Sequence, residues 1–86
     1  MENLYSIEIT ATAKKQLTKL PIAITDKLIK AIQELAKNPR PAGYKKLKGR
    51  PGYRIRKGDY RIIYEVYDAK LIVNVVIVAH RREDYE

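Results

Sequence analysis

A small α+β domain, with one strand, a helical hairpin and then an antiparallel β-meander, is the fold class this sequence predicts, and three observations predict it. Leu4 to Thr10 alternates apolar and polar residues with the two-residue period of a strand. Apolar residues then recur at helical spacing as far as Leu35, on both sides of Pro21. Beyond Tyr44, short runs rich in β-branched and aromatic residues are separated by glycine-bearing turns. With 86 residues the chain is expected to form a single domain over 1–86, its helices packed on one face of the sheet.

The first strand sets Tyr5, Ile7 and Ile9 against Leu4, Ser6 and Glu8. Thr10 or Thr12 can cap the next helix, whose apolar stripe is Ala13, Leu17 and Leu20, with Lys14, Lys15 and Lys19 outside. Pro21 ends it and suits the first turn of a second helix, striped by Ile24, Leu28, Ala31, Ile32 and Leu35 and closing before Asn38-Pro39. Tyr44 to Lys48 is expected as a short edge strand, its lysines discouraging edge-to-edge pairing.

The stretch Leu47 to Tyr67 has the form of a β-hairpin turning at Lys57-Gly58-Asp59, where glycine supplies the positive φ of a tight turn. Along its second strand, Tyr60, Ile62, Tyr64 and Val66 are assigned to the helix side, and Arg61, Ile63, Glu65 and Tyr67 to an open side. Asp68-Ala69-Lys70 makes a further turn. Leu71 to Ala79, apolar except at Asn74, is expected inside the sheet and covered on both faces.

The charge is lopsided. Lys plus Arg number 18 against 10 acidic residues, a formal net charge of +8. Between Arg40 and Arg61 lie Arg40, Lys45, Lys46, Lys48, Arg50, Arg54, Arg56, Lys57 and Arg61, with Asp59 alone to oppose them. A field of one sign over one region attracts polyanions or an acidic protein. Arg54 and Arg56 share a strand face, where like charges are best tolerated if solvent or an anion relieves them. The absence of cysteine excludes a disulfide framework, a thiolate metal site and a thiol nucleophile. A single histidine and scattered carboxylates give no metal-binding pattern. No signal-peptide pattern and no run of roughly 18 apolar residues occurs, so a cytoplasmic protein without a membrane segment is expected.

Leu47-Lys48-Gly49, Tyr53-Arg54-Ile55-Arg56, Gly58-Asp59-Tyr60-Arg61-Ile62-Ile63-Tyr64 and His80-Arg81-Arg82-Glu83-Asp84-Tyr85 together resemble the ordered motifs of the RelE/ParE superfamily of bacterial and archaeal toxins, in its RelE branch. The resemblance spans essentially the whole chain. It implies the toxin of a type II toxin–antitoxin pair, neutralised by a RelB-like antitoxin, that enters the 30S A site of the ribosome and cuts messenger RNA there. The implied reaction is attack of a ribose 2′-hydroxyl on the adjacent phosphate, leaving a 2′,3′-cyclic phosphate and a 5′-hydroxyl, with no metal or other cofactor.

Residue by residue, the resemblance makes Arg61 the arginine that holds the scissile phosphate, Arg81 the one that stabilises transition-state charge, and Tyr85 the tyrosine near the attacking hydroxyl. A tyrosine titrates near 10, so a basic role for Tyr85 requires nearby cations to lower it; a helical turn from Arg81 to Tyr85 would bring the two together. Arg54 and Arg56 match a pair, often lysine, that contacts the messenger backbone. Being arginines, they leave the general acid unassigned. Lys45, Lys46, Lys48 and Arg50 are candidate RNA contacts, and His80, where the family usually has a basic residue, is given a lesser role. Ala79 stands where a glycine is common. The alternatives are a ParE-like inhibitor of DNA gyrase and a non-catalytic RNA-binding module.

Overall fold

The computed structural model describes residues 4–82. Its elements are β1 (Ser6–Ile9), α1 (Ala11–Thr18), α2 (Ile22–Lys37), β2 (Lys45–Lys46), β3 (Tyr53–Lys57), β4 (Tyr60–Tyr67) and β5 (Ile72–His80). The five strands form one sheet in the order β1-β5-β4-β3-β2. β2 to β5 make the expected antiparallel meander, whereas β1 joins the far side of β5 in parallel. Among the described residues no helix is long and apolar enough to cross a membrane.

Thr10 explains how the helical hairpin is fixed to the sheet. Its Oγ1 accepts from the Ala13 N–H at 3.2 Å as the N-cap of α1 and donates to the Val76 carbonyl at 2.9 Å. One hydroxyl thus starts the helix and binds it to β5. Pro21 sits one position earlier than expected, as the N-cap of α2 rather than within its first turn, and Thr25 Oγ1 donates to the Leu17 carbonyl across the corner. Ala13, Leu17, Leu28, Ile32 and Leu35 bury the predicted stripes against Ile55, Ile62, Tyr64, Val73, Val75 and Val78.

The face assignment along β4 holds, since Ile62 and Tyr64 lie in this core with Tyr60 and Val66 packed against it. On β5 the register jumps: Ile63 pairs with Ile77 while Tyr64 pairs with Val75, leaving Val76 as a bulge. The extra residue lets Val73, Val75 and Val78 all face the helices although their spacing breaks the period of two. Among the described residues no second layer of helices or strands covers the other face. Ile72, Val76 and Ile77 are half-buried, so the expectation that β5 is covered on both sides is corrected: its apolar run reflects a central position and a bulge.

Candidate nucleic-acid interface

Residues paired across strands share a face, so the register lays out the open side in rows. One row runs Arg56, Arg61, Ala79 and the next Lys45, Arg54, Ile63, Ile77. The following row reads Glu65, Asn74, Glu8. Four cations from three neighbouring strands therefore occupy one end of one face, with Arg56 directly opposite Arg61. Like charges placed opposite one another destabilise a sheet, and an anion bound between them removes that cost.

The four are not equally presented. Arg56 and Lys45 are exposed and Arg61 is half-buried, whereas Arg54, which shares the strand face of Arg56, is only 5% exposed. Ile63, its partner across the strands, is buried as well, and lies outside the core cluster packed against the helices. Nε and Nη1 of Arg54 and Nε of Arg61 are inaccessible to solvent. Arg56 and Lys45 thus carry most of the exposed charge of the four, with Arg61 recessed beside them.

The β3–β4 turn sets one border of this surface. Gly58 adopts φ +59° at the first turn position while Asp59 has negative φ, the combination of a two-residue type II′ hairpin. Asp59 then reaches the end of β5: its carbonyl accepts from the Arg81 N–H at 2.7 Å, and its Oδ1 lies 3.5 Å from Arg81 Nε. Arg81 is thereby held beside the hairpin tip, two residues from Arg61 along the fold's own hydrogen bonds. Tyr85, and the expected turn joining it to Arg81, fall outside the described residues.

His80 is brought elsewhere. It pairs with Tyr60, on the helix side, their rings 5.2 Å apart at 79°, and its Nδ1 accepts from the Arg82 N–H. Its ring therefore faces away from Arg61. Lys46 pairs with Tyr53 and so has the opposite facing from Lys45, while Lys48 and Arg50 are exposed on the loop between β2 and β3. In that loop Gly52 has φ +126°, and a Cβ there would sit 3.2 Å from the Tyr64 carbonyl oxygen. Only glycine fits.

Arg40 belongs to a different structure from the one its sequence neighbours suggest. Its guanidinium bonds Asp68 through two nitrogens, at 2.9 and 3.2 Å, and Nη2 also donates to the Tyr53 hydroxyl. Tyr5 donates to Asp68 Oδ1 at 2.6 Å, and Tyr64, beneath, donates to the Pro39 carbonyl at 2.6 Å. The hydrogen bonds from Arg40 and then Tyr5 hold the Asp68 carboxyl below its ordinary range, and the same bond pushes the Tyr5 phenol up. Burial pushes Tyr64 up to about 12. Arg40 is thus neutralised by a structural clasp between the α2–β2 loop and the β4–β5 turn. Among the described residues no three His, Cys, Asp or Glu side chains converge on a point that could hold a metal ion.

A family model, the ParE toxin of type II toxin–antitoxin systems, parDE, matches residues 7–85. The chain is 31% identical over 80 residues to the mRNA interferase toxin RelE of Escherichia coli K12, covering 90% of this chain and 83% of that one. It is 30% identical over 83 residues to Toxin RelG of Mycobacterium tuberculosis, covering 94% and 95%. Among solved structures, the toxin–antitoxin complex RelBE2 of M. tuberculosis superposes with a TM-score of 0.83 at 28% identity, over 93% of this chain and 94% of that chain. The intact E. coli RelBE toxin–antitoxin complex superposes with a TM-score of 0.76 at 32% identity, over 88% and 95%. The two-helix, five-strand architecture and these matches agree: the chain belongs to the RelE/ParE superfamily of type II toxin–antitoxin toxins, on its RelE side.

Proposed function

We propose that this toxin is a ribosome-dependent endoribonuclease that cuts messenger RNA in the 30S A site by 2′-hydroxyl attack on the adjacent phosphate. The observation that carries the reading is the cross-strand pair Arg56 and Arg61 beside Lys45 and Arg54, a concentration of positive charge on the sheet face opposite the two helices α1 and α2. A guanidinium binds a phosphate through two nitrogens and keeps its charge as the phosphorane forms. Arg61, recessed between Arg56 and Ala79, grips the scissile phosphate; Arg56, Arg54 and Lys45 hold the flanking backbone; Arg81, at the hairpin tip, neutralises charge developing on the phosphoryl oxygens. Tyr85 assists the attacking hydroxyl. None of these steps asks for a metal or another cofactor. Lys46, Lys48 and Arg50, at the sheet edge and its loop, contact ribosomal RNA.

The partner that silences the toxin is a RelB-like antitoxin. Support comes from relatives solved as RelB–RelE complexes and from the surface itself. On the helix side, grooves of about 460 and 310 Å³ flank Tyr60, rimmed by Leu20, Ile24, Lys19, Lys27 and Lys57. An amphipathic acidic segment suits them.

The test is to incubate the purified chain with ribosomes carrying a defined messenger, with free RNA alongside, and to map the cuts and their ends. Cuts within the A-site codon bearing 2′,3′-cyclic phosphates, absent from free RNA and from Arg61→Ala, are expected. A folded, antitoxin-free chain that leaves the messenger whole overturns the reading; inhibition of DNA gyrase by that chain would replace it with the ParE-like activity.

A further inference from the structure

Asp59 is the one acidic residue in the basic stretch from Arg40 to Arg61, and it stands at the tip of the hairpin that carries Arg61. Its two contacts with Arg81 differ in kind. The backbone bond, at 2.7 Å, extends the pairing of β4 with β5 by one residue and asks nothing of the side chain. The carboxylate, by contrast, meets Arg81 at Nε, 3.5 Å away, with both side chains about two-thirds exposed, 66% and 62%. An exposed pair of this kind adds little to stability, so its consequence is geometric. The carboxylate approaches Arg81 at Nε, whereas the two Nη groups form the fork that matches two phosphate oxygens.

We propose that Asp59 is a positioning residue for Arg81, tethering its guanidinium through Nε at the hairpin tip so that the two Nη groups meet the messenger phosphate held by Arg61. This rests on the nuclease reading above. Asp59 follows Gly58 in a turn whose φ signs are set by glycine, so the carboxylate is carried on a rigid two-residue loop and not on a wandering one. Arg81, by contrast, is the first residue beyond β5, and its contacts with Asp59 join it to the hairpin tip.

The experiment is Asp59→Asn in the full chain, which keeps the turn and the backbone acceptor and removes the charge. Single-turnover cleavage of ribosome-bound messenger should slow about tenfold, as a misplaced catalytic group predicts, with KM and Tm unmoved. In an Arg81→Ala background the same substitution should change nothing further. An arm independent of activity reads the tether directly: by ¹⁵N NMR the Arg81 Nε–Hε order parameter should fall below about 0.6 in Asp59→Asn, while that of Arg61 holds. Equal slowing in both backgrounds, a loss confined to KM, or a change in only one of rate and order parameter overturns the proposal. A wild-type chain that cuts no messenger overturns the catalytic role together with the nuclease reading, and the NMR arm then decides the tether alone.

Discussion

Two arginine-bearing corners of this small protein make opposite use of the same side chain. At the corner of the α2–β2 loop, Arg40 is gripped by Asp68 through two nitrogens, capped by the Tyr53 hydroxyl and laid over the Tyr53 ring at 5.1 Å. On the open sheet face, Arg56 stands opposite Arg61 and Lys45 opposite Arg54, cation against cation. In the first, Asp68 and Tyr53 hold the arginine in place; the second gathers, on one face, positive charge of the kind that attracts a polyanion. Cationic residues near each other in sequence therefore divide between clasping the fold and gathering charge on one sheet face.

Breaking each corner should separate the two roles. The largest effect is expected on the open face: Arg61→Ala should lower A-site cleavage by about 10²–10³-fold while the circular dichroism spectrum stays that of the wild type, as for the loss of a charged group aimed at a transition state. Below the clasp, Tyr64→Phe leaves the buried Pro39 carbonyl without its donor, so urea denaturation should show a loss of about 1–3 kcal/mol with little change in cleavage per folded molecule.

The clasp itself should show in the pH dependence of Tm. Asp68 has a lowered folded-state value, so its contribution is present above the ordinary carboxylate range and lost as pH falls through that lowered value. Tyr5 is raised, so its contribution is complete below the ordinary phenol range and lost as pH climbs past the raised value. Asp68→Asn should lower Tm at neutral pH and flatten both limbs of the profile; a profile parallel to the wild type would show that the clasp contributes nothing. The smallest effect sharpens the contrast in charge. Arg56→Gln should reduce the salt slope of single-stranded RNA binding by about 0.7, the contribution of one phosphate contact, whereas Arg40→Gln should leave that slope in place.

Much of this division was hidden in the sequence for a physical reason. The period of two along Leu4 to Thr10 and Tyr60 to Tyr67, the helical stripes and the capping threonines at Thr10 and Thr12 are local signals; β1, β4 and both helices form over these stretches, with Thr10 as the cap. Pairing is not local. Nothing in the run Leu71 to Ala79 reveals that Val76 is a bulge or that β1 runs parallel beside it, because every residue there except Asn74 is compatible with either face. The facing of Arg54, Arg56 and Arg61 was legible from alternation, but the burial of Arg54 was not, because alternation sets the face and not what packs there. His80, attractive as a lone histidine, turned out to pack on Tyr60 across the sheet from Arg61. Arg40 read as one more cation of a basic run because Asp68 lies 28 residues away, and Asp59 read as part of a turn because Arg81 comes to it only when β5 closes on β4.

The most direct test of this division is the single-turnover rate of messenger cleavage on the ribosome for Arg40→Ala and Arg61→Ala, measured side by side and normalised to folded protein. The account predicts that Arg40→Ala keeps the wild-type rate while Arg61→Ala loses it. Cleavage retained by Arg61→Ala and lost by Arg40→Ala would contradict it.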